Sequence, residues 1–330
     1  MSSSPCNSSK LTQNTTEEWQ NDLTSFRVIL APSALLILAI LVGNSLVIAS
    51  YKINRRLRTR TNAFLVSLAI SDSLVGSVSL PMWIYMIMME WNVSAAFKAV
   101  FKSFDVFSAL ASIFHLTAIS VERYIAVSRP FYYKRLSSVF HRGLIASAWS
   151  AAVFLASLSS FTALGNNWSS KLYSIVLFFC GFALPTAVIT CMYVGVFSVA
   201  RTLLQRYPSR AAKRLSWGSL KQYYQGESKV AITVALITCL FIAAWVPFFA
   251  VSVTAAFCLK CLPSSPDSLF SLIVTVKIVH YMNSAVNPLV YARRDREMRR
   301  TFLRLIGVRC GICRLDIEEE TPWGFPLRIL

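Results

Sequence analysis

FKAVFKSFDVFSALASIFHLTAISVERYIAV, residues 97–127, is an apolar run that carries Asp105 near one end and Arg123 near the other. They are 18 residues apart, which is five turns of α-helix at about 3.6 residues per turn, so both side chains fall on one face. A rise of about 1.5 Å per residue separates them by roughly 27 Å, close to the thickness of a bilayer's hydrocarbon core. An acid near one surface and a base near the other read as a bridge between two sites. Charge inside a membrane segment is costly, so function is its default explanation, and the partner of each charge is the first thing to look for.

Six more apolar stretches accompany it, at 28–51, 62–89, 142–164, 172–203, 228–257 and 268–292. Each exceeds the roughly 20 residues a helix needs to cross, and lipid leaves an isolated segment no other way to satisfy its backbone groups. The 330 residues are 55% hydrophobic and only 15% charged, outside the range of soluble domains. The expected fold is an all-α membrane protein: a seven-transmembrane helix bundle over 28–292, preceded by a polar segment 1–27 and followed by a tail 293–330. Within the tail, Met298, Phe302, Leu305 and Ile306 recur at helical spacing among arginines, which predicts a short amphipathic eighth helix lying on the inner surface.

A net charge of +18 would suit nucleic acid, but its location speaks against that. The segments 52–61, 128–142, 201–229 and 293–330 hold 25 Lys and Arg, whereas 1–27, 89–98, 165–171 and 258–267 hold five. By the positive-inside tendency the amino terminus is extracellular and the carboxyl terminus cytoplasmic, as in a multi-pass plasma-membrane protein. The basic excess is then mostly topology, with a secondary role beside anionic membrane lipids or an acidic cytoplasmic partner. Four Asn-x-Ser/Thr sequons, at Asn7, Asn14, Asn92 and Asn167, all fall on the outer side and are candidate glycosylation sites. The first 26 residues lack an apolar signal core, so the first span is expected to act as its own insertion signal.

Eight cysteines are too few for a disulfide scaffold in a chain of this length. Cys258 and Cys261 flank a short outer loop, where oxidising conditions favour a local disulfide; a zinc site would need two more ligands. Cys180, Cys191 and Cys239 lie within spans as small packing residues. Cys310 and Cys313 follow the amphipathic stretch and are either palmitoylated or free thiols.

Glu122-Arg123-Tyr124 closes the third span at its cytoplasmic edge. Arg123 either snorkels to lipid phosphate or engages a carboxylate, adjacent Glu122 or Glu227 at the inner start of the sixth span. Asn287-Pro288-Leu289-Val290-Tyr291 ends the seventh span, where proline removes a backbone hydrogen bond and bends the helix. Asn283 lies one turn earlier on the same face. With Asp72, Ser112 and Asn44 these residues supply either the oxygen ligands of a small cation or a structural polar network. His115, His141 and His280 are scattered, and neither a catalytic triad nor a metal cluster emerges, so no enzyme activity is expected.

The ordered set of motifs resembles the rhodopsin-like, class A family of G-protein-coupled receptors over essentially the whole chain. It comprises Gly43-Asn44-Ser45-Leu46-Val47, Leu68 with Asp72, Glu122-Arg123-Tyr124, Trp149, Pro185 with Tyr193, Phe241 with Trp245 and Pro247, and Asn287 to Tyr291. The resemblance implies an extracellular small-molecule agonist, a heterotrimeric G protein, and arrestin and a receptor kinase as further partners. It implies a G-protein-side switch of Glu122, Arg123, Tyr124, Tyr193, Glu227, Pro288 and Tyr291, and a packing relay of Trp245, Phe241, Ile113 and Pro185. Asp72, Ser112, Asn283, Ser284 and Asn287 would hold an allosteric sodium ion, with no other cofactor.

Asp105 matches the position where aminergic receptors hold a ligand's ammonium group, and the resemblance is nearest to that branch. Val106, Ala109, Trp245, Phe248, Phe249, Lys277 and Tyr281 would complete the pocket, with aromatic faces for a cation and a hydroxyl to orient the carboxylate. A biogenic amine is therefore the first ligand class. Lys277, Lys102 and Lys98 lie close enough outward to offer the acid a protein cation instead, which opens the class to a zwitterion, a lipid or a peptide. The family's cysteine at the top of the third span is Lys98 here, and residues 165–170 contain none, as in branches that lack the outer disulfide. Tyr281 occupies the place of the retinal-binding lysine, which argues against a visual pigment. A transporter or channel is the reading from another class, disfavoured because no charged relay lines a continuous path.

Overall fold

The structure is a computed structural model that describes the backbone of residues 8–164, 167–206 and 239–307. Side chains are described from residue 29 onward, except over 160–167, 200, 201, 203–206 and 294. Among the described residues, seven helices are long and apolar enough to cross a membrane: Ile29–Ile53, Arg60–Met88, Ala95–Ser128, Ser138–Ser159, Trp168–Val199, Cys239–Phe257 and Pro266–Arg293. The third is the most enclosed, and it packs against the second, fourth and fifth, while the first packs against the second and seventh. The apolar runs therefore fix the element order, and the expected bounds hold to within a few residues for the second, third and seventh spans. The first span, Ile29–Ile53, agrees as closely with its expected 28–51, although its helix begins earlier, at Ser8, within the polar segment.

Local chemistry starts these helices where the sequence changes character. Thr59, Ser94 and Ser265 sit just before the second, third and seventh spans, and each side-chain oxygen accepts from a backbone N–H three residues on, at 3.2, 3.2 and 3.3 Å. Such caps satisfy donors that a helix leaves unpaired at its amino end. Two wide π-turns, Val75–Ser79 and Phe179–Ala183, interrupt the second and fifth spans just upstream of Pro81 and Pro185. Proline deprives the carbonyl four residues earlier of its partner, which makes a local widening cheap.

The seventh helix runs Pro266–Arg294 and continues through Pro288. The carbonyl that Pro288 leaves unpaired is that of Ser284, and it accepts instead from Nδ2 of Asn44 at 3.1 Å. The same Nδ2 reaches the carbonyl of Ile40 at 2.9 Å, so one amide staples the first helix to the seventh. Glycine beside Asn44 makes this approach feasible: a Cβ on Gly43 would stand 3.0 Å from the Pro288 ring. A rigid ring has little freedom to retreat, so a larger residue at 43 would force the helices apart.

The amphipathic eighth helix is present as Arg296–Leu305. Asp295 caps it, its Oδ1 accepting from the N–H groups of Glu297 and Met298 at 2.8 and 3.1 Å. Met298 and Phe302 are buried against the bundle, and Thr301 Oγ1 accepts from Asn54 at 2.9 Å, while Leu305 and Ile306 point outward. Cys258 and Cys261 form the expected disulfide around a short 3-10 turn, Leu259–Cys261. Cys180, Cys191 and Cys239 are exposed free thiols on the outside of the bundle, contrary to the expectation that they pack inside. Spacing places a residue in a span but does not choose which side of the helix meets its neighbours.

Candidate functional site

Toward the end of the bundle that carries the Cys258–Cys261 loop, Asp105 is buried and both its oxygens are taken. Oδ2 accepts from the ammonium of Lys277 in a direct ion pair, and Oδ1 accepts from the Tyr281 hydroxyl at 2.8 Å. Lys277 and Tyr281 are one turn apart, so both reach the third helix from the same face of the seventh. The Lys277 Nζ also faces three aromatic rings, 5.5 Å from the centroid of Phe101, 5.0 Å from Phe248 and 5.2 Å from Tyr281. An ammonium over the negative faces of several rings gains attraction beyond its ion pair. Lys102, the other nearby cation, lies 5.3 Å over the ring of Tyr173.

Aromatic side chains floor this chamber. Trp245 stacks on Phe241 at 5.4 Å and meets His280 at 4.1 Å, and His280 stacks on Tyr281 at 5.0 Å. Phe249 stacks on Phe182 at 4.5 Å, and Phe248 lies 5.0 Å from His280. Ala109 is buried in the central core, with Val106 packed against it. Of the eight residues expected around the ligand, Asp105, Phe248 and Tyr281 thus meet Lys277 directly, and Val106, Ala109, Trp245 and Phe249 lie in or against the central core beside them. Phe101, Phe182 and His280 were missed there. Phe101 is one turn outward of Asp105 and His280 adjoins Tyr281, so helical spacing could have found both.

At mid-membrane, Asp72 is fully buried. Its Oδ1 accepts from Ser112 and Ser284 at 3.1 and 2.8 Å, and its Oδ2 from Asn287 Nδ2 at 2.8 Å. Three helices therefore converge on one carboxylate. Asn283 is buried but makes none of these bonds. The Oδ1 of Asn44 is buried with no hydrogen-bond partner among the described residues.

Toward the opposite end of the bundle, Arg123 and Glu122 are buried side by side. Arg123 donates Nε to Glu122 Oε2 at 2.5 Å and Nη2 to Glu122 Oε1 at 2.6 Å, a bidentate pair. Thr61 and Tyr133 complete the cluster: Tyr133 donates its hydroxyl to Glu122 Oε1, and Thr61 Oγ1 accepts from Arg123. Tyr133 lies outside the spans, and burial together with the Glu122 carboxylate raises its phenol well above the ordinary tyrosine range, so it remains a donor. Neither partner was legible as such in the sequence.

Tyr193 is buried, with its hydroxyl 3.3 Å from Ser120 Oγ, and Tyr291 is buried with no partner for its hydroxyl among the described residues. Tyr124 packs against Gly195, where a Cβ would come within 2.5 Å of its ring. Glu227, Asn7, Cys310 and Cys313 lie outside the described residues, as do the side chains of Asn14 and Asn167. Asn92 is exposed in the turn after the second span.

The sequence pattern of the 7 transmembrane receptor (rhodopsin family) matches residues 43–291. The D(1)-like dopamine receptor of Oreochromis mossambicus is 31% identical over 324 residues, covering 88% of this chain and 81% of that receptor. The Histamine H2 receptor of Homo sapiens is 32% identical over 295 residues, covering 84% and 78%. The Alpha-1D adrenergic receptor of Rattus norvegicus is 30% identical over 327 residues, covering 84% and 57%.

Proposed function

We propose, from the premise that this chain belongs to the rhodopsin family of seven-transmembrane receptors, that it senses a small ammonium-bearing ligand at Asp105 and relays that binding to a heterotrimeric G protein. The family is one of receptors and not of enzymes, and the chain is a multi-pass membrane protein. Dopamine and histamine, named in its relatives, each carry an ammonium group at neutral pH. An ammonium already fills the seat here: the Lys277 Nζ pairs with Asp105 among three aromatic rings. A biogenic amine would meet the same carboxylate and the same ring faces.

Dopamine and histamine applied to wild type and Asp105→Asn in a G-protein activation assay test the anchor. The half-maximal concentration of an active amine is expected to rise roughly a hundredfold in the mutant, within the 2–5 kcal/mol that truncating a buried charge pair costs. An amine equally potent on both proteins would sink the proposal.

The charge distribution supports an extracellular amino terminus with glycans at the four sequons, and a cytoplasmic tail anchored by lipid at Cys310 and Cys313. The G protein, and with it arrestin and a receptor kinase, would meet the inner face around Arg123. Sodium would sit at Asp72. The donor set fits a hard cation: a carboxylate, two hydroxyls that can turn lone pairs toward it, and the unpartnered Oδ1 of Asn44, whose Nδ2 donates to the Ser284 carbonyl. An ion there would favour the state in which the third and seventh helices keep this spacing. Asp72→Asn is expected to abolish any sodium dependence of dopamine or histamine affinity, and a mutant whose salt response matches wild type would count against the site.

A further inference from the structure

We infer that Lys277 is a tethered occupant of the ammonium seat, and that the ligand which displaces it is a zwitterion of amino-acid type, carrying a carboxylate beside its ammonium. The inference rests on Asp105 being the ammonium anchor and names the class of ligand that anchor accepts.

Charge counting in the enclosed region carries it. Among the described residues of the spans, the buried carboxylates are Asp72, Asp105 and Glu122. Asp72 is held by Ser112, Ser284 and Asn287, and Glu122 by Arg123, so neither can turn to Lys277. Asp267, on the same helix as Lys277, is exposed ten residues outward, roughly 15 Å at helical rise. If a simple monoamine takes Asp105, Lys277 becomes a second cation beside it in an apolar chamber with no carboxylate left. Like charges at that distance in a poorly solvated site repel strongly.

A zwitterion avoids this. Its ammonium takes Asp105 while its carboxylate takes the displaced Lys277, and the site stays neutral with charges of alternating sign. Asp105 and Lys277 are in direct contact, so a ligand whose two charges flank one carbon takes the place between them by moving the lysine ammonium outward by roughly 3–4 Å, which its flexible four-carbon stem permits. The aromatic floor of Trp245, Phe248 and Phe249 then receives the ligand's side chain.

Lys102 and Lys98 lie one and two turns outward of Asp105 on the third helix, and both are exposed, so a carboxylate entering along that helix passes two ammonium groups.

Three probe pairs that differ by a single carboxylate test the inference in membranes bearing the full chain: histamine with L-histidine, tyramine with L-tyrosine, and dopamine with L-DOPA. In the wild type at least one amino acid is expected to activate the G protein at a concentration about tenfold below that of its amine partner. Lys277→Gln is expected to reverse that order, and Lys277→Arg, which keeps the cation, to preserve it.

Three outcomes overturn the inference: no amino acid acting on wild type at millimolar concentration, an unchanged order in Lys277→Gln, or a lost preference in Lys277→Arg. The arginine variant and the wild-type comparison decide the matter even where the glutamine variant fails to reach the surface. If Asp105→Asn leaves every probe unaffected, the ammonium reading itself fails. If it silences an amine while Lys277→Gln alters no order, the zwitterion alone fails.

Discussion

Asp105→Ala is expected to lower the stability of the solubilised receptor by about 3–5 kcal/mol, and Lys277→Met in the same chain to recover most of that loss. Asp105 and Lys277 are both largely withdrawn from solvent, with side chains 8% and 13% exposed. Deleting the acid leaves a buried ammonium without its carboxylate, and also strands the Tyr281 hydroxyl that donates to Asp105. The rings of Phe101, Phe248 and Tyr281 face the ammonium in the wild type already, so their attraction does not replace the lost carboxylate. Replacing both charges removes the mismatch, because methionine fills the lysine stem's volume and adds no unmet charge. Thermal and denaturant unfolding of the single and double mutants checks the cycle. A double mutant as unstable as Asp105→Ala would show that the loss comes from packing and not from the stranded lysine.

Glu122→Ala is expected to raise basal G-protein signalling several-fold at matched surface expression. In the structure Glu122 holds Arg123 by two charged hydrogen bonds, and Tyr133 donates to the same carboxylate. Loss of the carboxylate removes about 3 kcal/mol or more from any state that depends on the buried pair, and a few kcal/mol suffices to shift a two-state population by one or two orders of magnitude. Tyr133→Phe, which removes one hydrogen bond and leaves the carboxylate, is expected to move basal activity in the same direction by less. Nucleotide exchange measured without agonist checks both. A flat basal rate in Glu122→Ala would mean that the pair does not restrain activation.

The two ends differ in how much of them the linear chain disclosed. Glu122 and Arg123 are sequence neighbours, so their pairing stood among the alternatives the sequence offered, beside lipid phosphate and Glu227, whereas Thr61 and Tyr133 come from the second span and the segment after the third. Asp72 was legible as a buried acid, and its partners Ser112, Ser284 and Asn287 lie on the faces their spacing gives. Asn283 shares the one-turn spacing with Asn287 yet stays off the carboxylate. One turn of helix leaves a residual rotation large enough to decide whether a short side chain reaches.

By itself the sequence determined the number of spans, their order, the local disulfide and the amphipathic eighth helix. Each depends on hydrophobicity or on neighbours within a turn, which the linear order already contains. Only the tertiary structure decided which of Lys98, Lys102 and Lys277 reaches Asp105. All three stand within two turns of that acid's level, and helical periodicity fixes the angles among residues of one helix but not the rotation of one helix against another. That rotation is set by packing across the bundle, and it turns Lys277 from a rim charge into the ammonium that occupies the seat.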